Sequence, residues 1–459
     1  MIRRLLRARE GFYRELFVLV LPIVLQNLIT SSVNMADVVM LGRVDQTSLS
    51  ASSLAGQVMF LLYIVFFGLN SAMTILAAQY WGRKDTRTLS KILGIGLMIS
   101  VSLCSLAALL AWFCPRAVIR VWTNVPELVE AGARYLRWAA LSYVFAGIAQ
   151  PYLTILKSCE RVRFSTALSA GVLCINVVLN ALLIFGLGPF PEMGITGAAL
   201  ATSVSWGIGL AVCLVDFLRQ KILPKSLKNM FRIPSLLVGD FIRYSLPAFI
   251  NDAMWGLAFN MNSVIMGHLG SDIVAANSVV TMARDLVSVV GFGIAAAASI
   301  LLGKEIGEDR LETARQDAAS ILRTAVLSGV ASGLLLFVIS PVIPGLVKIS
   351  PTAAGYLRVM LWINTVYQLG QIINTVLISS LFRCGGDSRY GMILDIICMW
   401  GFAVPLGLIS AFVLKLPPLT VYILMCTDEF AKMPFALHHY RSGHWIRNLT
   451  RDLDGEEAL

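Results

Sequence analysis

The feature that most constrains this chain is a run of about twenty apolar residues that recurs twelve times along it. A helix needs about 20 such residues to cross ~30 Å of hydrocarbon. The runs fall near 16–41, 53–80, 91–113, 135–156, 164–186, 194–217, 241–267, 275–302, 318–343, 356–381, 390–413 and 418–437. Lipid offers no partner to backbone N–H and C=O groups, so each run is expected to be an α-helix. The fold class that follows is an all-α integral membrane protein with twelve transmembrane helices. The composition agrees, with 57% hydrophobic and only 14% charged residues in a chain of 459. Soluble multidomain, disordered and coiled-coil classes are thereby excluded.

The charged residues orient the runs. The net charge is +10, from 37 Lys+Arg against 27 Asp+Glu. With the N-terminus inside, the cytoplasmic tails, loops and helix ends hold 28 of the 37 cations, the opposite side and its helix ends hold 8, and Arg284 alone lies deep within a run. That bias places both termini in the cytoplasm of a plasma-membrane protein. It also accounts for the basic excess without nucleic acid, for which no basic, aromatic-laced domain is available. The start, Met1 to Glu10, is basic and lacks a small-residue cleavage site, so it reads as a retained tail. The eight cysteines form no C-x-x-C pair and lie mostly in apolar runs. They read as small apolar fillers, with no metal expected.

The sequence also repeats itself. Laid over the first half at one constant offset, the second half pairs Leu21-Pro22 with Leu246-Pro247, Gly42 with Gly267, Phe67-Gly68 with Phe292-Gly293 and Gly82 with Gly307. Farther along, at nearly the same offset, Tyr135-Leu136-Arg137 meets Tyr356-Leu357-Arg358, and Arg163-Phe164 meets Arg389-Tyr390. Both halves hold six runs and start on the same side. The expectation is two six-helix bundles related by a pseudo-twofold axis along the membrane normal. The lobes would span 1–218 and 241–440, joined by a cytoplasmic linker at 219–240 and followed by a tail at 441–459. Transporters built from parallel repeats bind substrate where the two halves meet.

Polar residues inside apolar runs mark function by default. Asn27, Thr30, Asn34 and Asp37 are spaced 3, 4 and 3, which puts them on one helical face. That face should line the bundle interior, where Asp37 could exchange a proton or hold sodium. The equivalent face of the seventh run reads Asp252, Trp255, Phe259 and Asn262, with Asn262 standing where Asp37 stands. Asn176 and Asn180 lie one turn apart on the fifth run, within reach of a hydrogen bond to Asp37 or of a cation. On the tenth, Asn364, Gln368, Gln371 and Asn374, with Tyr367, form a second polar stripe and a plausible substrate wall. Asp395 is shallow, roughly 9 Å past Arg389 by helix rise. Asp428 and Glu429 are placed for intrahelical pairing with Lys432. Arg284 and Asp285 are adjacent and should not face each other. The four histidines, at 268, 438, 439 and 444, are assigned to loops or the tail, which disfavours a histidine metal site and a membrane-embedded enzyme.

Several stretches resemble the multidrug and toxic compound extrusion (MATE) transporters over essentially the whole chain. They are Leu-Pro-Ile-Val-Leu-Gln-Asn at 21–27, Ala-Asp-Val-Val-Met-Leu-Gly-Arg at 36–43 and Gly-Ile-Thr-Gly-Ala-Ala-Leu-Ala-Thr at 194–202. Leu-Pro at 246–247, Gly-His-Leu-Gly at 267–270 and Phe-Arg-Cys-Gly-Gly-Asp at 382–387 complete the set. The resemblance implies an antiporter, not an enzyme, exporting organic cations or other amphipathic molecules as protons or sodium enter. It maps the family's first-helix acid onto Asp37 and its fifth-helix amide onto Asn176. Where some members carry a second acid, this chain has Asn180. Where others carry acids in the seventh and tenth helices, it has Trp255 and Ile372. The expected cation-coupling residues are Asp37, Asn34, Asn176 and Asn180. Candidate substrate contacts are Thr30, Thr202, Trp255, Asn262, Tyr367, Gln368, Gln371, Asn374 and Asp395. The expected partners are small molecules and the bilayer, with no cofactor beyond the coupling ion, and the expected state is a monomer. The alternative is a flippase for a lipid-linked precursor on a related fold. It would want a strongly cationic cavity, and Arg284 is the lone deep cation.

Overall fold

The computed structural model describes residues 9–347 and 349–451. The side chains of residues 34, 35, 37–39, 42, 46, 49, 227 and 346 are outside the described set. Twelve long helical segments account for the twelve apolar runs. They are α1 (Phe12–Gly42), α2 (Gln46–Gly82), α3 (Thr86–Phe113), α4 (Pro126–Ser158), α5 (Val162–Phe185) and α6 (Gly194–Arg219). In the second half they are α7 (Ser235–His268), α8 (Ser271–Gly307), α9 (Leu311–Ile339), α10 (Pro351–Val376, running on to Phe382), α11 (Ser388–Val413) and α12 (Pro418–Met425 and Asp428–Ser442). No strand occurs among the described residues.

The sequence sets where these helices start and bend. Asp45 and Asp85 cap α2 and α3 by accepting the N–H groups of Ser48 and Thr88 at 2.6 and 3.0 Å. The two Ser48 donors, N–H and hydroxyl, hold the Asp45 carboxyl below the usual carboxylate range. Ser350 caps α10, whose first residue is Pro351, a residue tolerated there because that N–H has no helical partner. Pro22 and Pro247, counterparts in the repeat, lie inside α1 and α7 and remove one helical hydrogen bond each. The fourth helix of each half is disturbed by different means. Pro151 lies inside α4, whereas at the matching point of α10 a π-helical turn starts at Leu377. Two more π-helical stretches, Ile397–Ala403 and Ile409–Val413, interrupt α11. The twelfth run is broken between Met425 and Asp428, so it is two stacked pieces where the sequence reads as one span.

The turns repeat as well. Lys84 and Asp309 occupy matching positions in the two halves, and both adopt left-handed backbone angles, with φ of 63° and 60°. Glu160 and its counterpart Gly386 do the same. Non-glycine residues rarely accept φ > 0, so this shared geometry reflects one turn design used twice.

Contacts divide the chain into two compact units. One comprises the chain up to Val24 with Ile242–Thr450; the other comprises Leu25–Phe241 with Arg451. In the second unit, Phe66, Cys104, Leu136, Tyr143 and Ala199 form the main apolar core. In the first, Met266, Ile273, Leu357, Leu361 and Tyr422 do so. Leu136 and Leu357 are counterparts in the repeat. The linker is not a free strand: Leu227–Phe231 is a short helix whose Met230 backbone lies against Gly94 of α3, where a side chain would collide. Phe17, Leu327, Val338 and Phe113 are more than half exposed. Together with nine described helices long and apolar enough to cross a membrane, that exposed apolar surface belongs against lipid.

Each unit carries an arginine from near a chain end on an acid at the foot of a helix. Arg9 pairs with Glu15 at 2.6 Å and lies 3.5 and 3.4 Å from the buried Glu305 and Asp317. Arg451 pairs with Asp240 at 3.0 Å. Glu15 and Asp240 stand at the same offset as Pro22 and Pro247, so the repeat extends to these pairings.

Candidate functional site

The first half brings three of the expected residues together. Asn176 on α5 donates to the Thr202 hydroxyl on α6 at 3.2 Å, and Asn180 donates to the Asn176 amide oxygen at 3.2 Å. Thr202 in turn donates to the Ala198 carbonyl. Asn176 and Asn180 are buried. The approach is close because Gly197 offers no side chain: a Cβ there would sit 2.6 Å from the Leu183 carbonyl oxygen. The product is a neutral, directed chain of hydroxyl and amides in an otherwise apolar interior. Asn34 and Asp37 are on α1, but their side chains lie outside the described residues. On the same helix Thr30 donates to the Gln26 carbonyl, and Gln26 accepts from the Lys157 ammonium at 3.1 Å.

The second half places a stronger pair at a neighbouring position, since Asp252 is the counterpart of Asn27 and not of Gln26. Arg383 is the counterpart of Lys157 in the repeat, and its guanidinium donates to both oxygens of Asp252 at 2.6 and 3.1 Å. Both side chains are nearly buried. Asp252 is thereby neutralised within the unit.

The α10 stripe is dispersed among different neighbours. Gln368 is fully buried, donating to the Arg284 carbonyl and the Ser288 hydroxyl at 3.2 and 2.9 Å. Asn364 donates to the Tyr422 hydroxyl at 2.6 Å and the Met360 carbonyl. Tyr367 is nearly buried. Gln371 lines a small cleft with Ser288, Gly291, Phe292, Ile372 and Thr375. Asn374 donates to the backbone oxygen and the carboxylate of Glu429 at 2.7 and 2.8 Å.

Asp395 meets Lys432 at 3.0 Å, and Lys432 also meets Glu429 at 3.0 Å and Asp428 at 3.9 Å. The pairing is therefore not confined to one helix, as the spacing alone indicated. It ties α11 to α12 as well. That partner could not be read from the chain, because Asp395 and Lys432 are far apart in sequence.

Trp255 and Asn262 lie on α7. Trp255 is partly exposed and packs on Phe259 at 5.1 Å between ring centroids. Arg284 covers the Phe259 ring at 4.3 Å, which supplies a partner for a buried guanidinium. Asp285 points away, with a side chain 68% exposed, so the adjacent charges come no closer than 3.9 Å. The Asn262 amide oxygen is buried without a hydrogen-bond partner.

One sequence reading needs correction. His438 and His439 are not in a loop or tail; they lie on the second piece of α12, with His268 at the last turn of α7. His439 meets Asp387 at 2.9 Å and stacks on Tyr390 at 3.7 Å. The polar residues at the end of the run lowered its apparent length. Among the described residues no group of His, Cys, Asp and Glu is arranged to hold a metal ion.

The comparisons with known proteins fit this architecture. The chain is 23% identical over 440 residues to the uncharacterized transporter YisQ of Bacillus subtilis, covering 94% of this chain and 95% of the relative. It is 22% identical over 396 residues to the multidrug resistance protein PmpM of Pseudomonas aeruginosa, covering 86% and 83%. Among solved structures, the MATE transporter VcmN of Vibrio cholerae, in its bent form, superposes with a TM-score of 0.84 at 16% identity, covering 95% of this chain and 99% of that one. A MOP superfamily transporter from Pyrococcus furiosus superposes with a TM-score of 0.84 at 18% identity, covering 95% and 98%. The MatE family model matches residues 22–182 and again 247–409, two copies that begin on the paired prolines of the internal repeat. The chain belongs to the MatE family of multi-pass membrane transporters.

Proposed function

We propose that this protein is a secondary antiporter that exports organic cations or other amphipathic small molecules from the cell in exchange for protons or sodium. The observation that carries the reading is the Thr202–Asn176–Asn180 hydrogen-bond chain in the first half, whose two amides are buried. It is built from neutral groups, so on its own it drives nothing. Its counterpart is the α1 face that presents Asn27, Thr30, Asn34 and Asp37 at helical spacing. A coupling ion on Asp37 neutralises the one acid of that face and changes which hydrogen bonds the amides complete. The helix is thereby biased between two packings, which shifts the side on which the binding region opens. Substrate and coupling ion then compete, which is the thermodynamic requirement for exchange.

The names of the curated relatives, several of them multidrug resistance proteins, support the substrate class. The partly exposed Trp255–Phe259 pair adds an aromatic surface suited to planar or amphipathic compounds. Both termini lie in the cytoplasm of the plasma membrane in this reading, because the cations are so distributed. The chain works as a monomer of two six-helix lobes.

The test is dye export from cells lacking their own pumps. Cells producing the protein should retain less of a fluorescent organic cation, and Asp37→Asn should abolish that difference at equal expression. Undiminished export by the Asn variant removes Asp37 from the mechanism.

A further inference from the structure

The second half contains a charge imbalance that the antiport reading does not use. Asp395, Asp428, Glu429 and Lys432 are all buried, with relative exposures of 7%, 5%, 3% and 2%. Three carboxylates thus share one ammonium. Lys432 meets two of them, Asp395 and Glu429, at 3.0 Å each, and stands 3.9 Å from Asp428. By helix rise, Asp428 is ~15 Å along the run that begins at Pro418, about mid-membrane. Uncompensated carboxylates are not kept charged at that depth.

The charged and titratable groups on the surrounding helices do not restore the balance. On α10, Tyr367 is uncharged and Asn374 is an amide. The Arg383 guanidinium near α7 is committed to Asp252. Arg284 on α8 lies over the Phe259 ring. Cys398 on α11 and Cys426 in the break of α12 are thiols and supply no cation. A metal ion is a poor supplement, since the ammonium already occupies the point between Asp395 and Glu429.

A second observation points to the missing ligand. Asn374 is 2% exposed, and its amide nitrogen donates to Glu429. Its amide oxygen is buried and has no donor. An orphaned acceptor on the residue that holds Glu429, in a cluster with more carboxylates than cations, indicates a polar network short of a proton.

We propose that the Asp395–Asp428–Glu429–Lys432 cluster, with Asn374, is a proton-binding site of the second half, carrying its exchangeable proton on Asp428. The assignment to Asp428 follows from its longer distance to Lys432. Uptake forms one O–H bond on a carboxylate oxygen, with the proton drawn from water, and breaks no bond within the protein. The binding itself is independent of the antiport reading; only its use as a coupling step rests on that reading.

The test reads the proton directly. Infrared difference spectra of the purified full-length protein in lipid nanodiscs, taken between acidic and alkaline buffer, should show the carbonyl stretch of a buried carboxylic acid. Asp428→Asn should lose that band while keeping a monodisperse elution profile, and Asp37→Asn should retain it. A band that persists in both Asp428→Asn and Glu429→Gln overturns the proposal. The wild-type chain gives a second readout free of folding effects. A lipid-soluble carbodiimide, which attacks only protonated carboxyls, should label the peptide containing Asp428 and Glu429, less so as pH rises. Absence of label on that peptide in acidic buffer also overturns it. If Asp37→Asn transports normally while the Asp428 band is present, the antiport assignment fails and the proton site stands.

Discussion

Replacing Arg383 with Met should destabilise the protein far more than a surface Arg→Met change, and Asp252→Asn should repair most of the damage. The guanidinium makes two hydrogen bonds to Asp252, at 2.6 and 3.1 Å, with side-chain exposures of 4% and 12%. Met fills the stem's volume but leaves the Asp252 carboxylate buried without its partner. Breaking a buried pair from one side costs about 3–5 kcal/mol. For a unit of this size, that corresponds to a fall on the order of 10 °C in the unfolding midpoint. The double variant replaces the charged pair with an apolar stem and a neutral amide, and should return to within about 1–2 kcal/mol of wild type. Thermal unfolding in detergent, followed by tryptophan fluorescence with monodispersity checked at each point, measures all four members of the cycle. An unchanged midpoint in Arg383→Met refutes the reasoning, as does a double variant no more stable than the single.

Three further perturbations follow from the geometry. Asp45→Ala removes the cap of α2 and should cost about 1 kcal/mol near neutral pH. Because the folded carboxyl is held below its usual range, that contribution is present above ~pH 4 and lost as pH falls through the folded value, so midpoints of variant and wild type should converge in acid. Gly197→Val forces α5 and α6 apart at the point where a Cβ would meet the Leu183 carbonyl, at a cost of about 2–3 kcal/mol. It should also reduce dye export, because the Asn176–Thr202 bond spans the same crossing; full export at wild-type stability would contradict the placement. Arg9→Ala takes the guanidinium away from the buried Glu305 and Asp317, and should lower the unfolding midpoint more than Arg116→Ala, whose pair with Glu130 is exposed.

The fold was largely legible in the sequence because its two main signals, run length and repeat, are one-dimensional. Twelve apolar stretches of the right length can be counted without a structure, and the constant offset that pairs Pro22 with Pro247 needs only alignment. Interruptions were harder to read. Proline announces itself at position 151, but the π-helical turn at Leu377 arises from ordinary helix-forming residues, so nothing local marks it. The break between Met425 and Asp428 is only faintly marked, by Thr427 ahead of the acidic first turn of Asp428 and Glu429.

Site residues divide along the same line. Asn176 and Asn180 share a helix face by spacing alone, and their hydrogen bond follows from it. Partners far apart in sequence did not. The Asp395–Lys432 pair spans two helices, and Arg383 reaches Asp252 across 131 positions. The α10 stripe shows the limit of spacing: one face of a helix can meet several neighbours, so Gln368 is clamped to α8 while Asn374 reaches α12. A faint signal for the acid cluster was present, since Asp428, Glu429 and Lys432 introduce three charges into one apolar run.

The central claim is exchange of an organic cation for a proton or sodium ion through Asp37. Its most direct test is substrate flux across proteoliposomes under separately imposed proton and sodium gradients, with wild type and Asp37→Asn in parallel. The account predicts that one of the two gradients drives a fluorescent cation uphill in the opposite direction, and that the Asn variant shows no gradient-driven flux. Uphill flux of equal rate in the variant, or wild-type flux indifferent to both gradients, would contradict it.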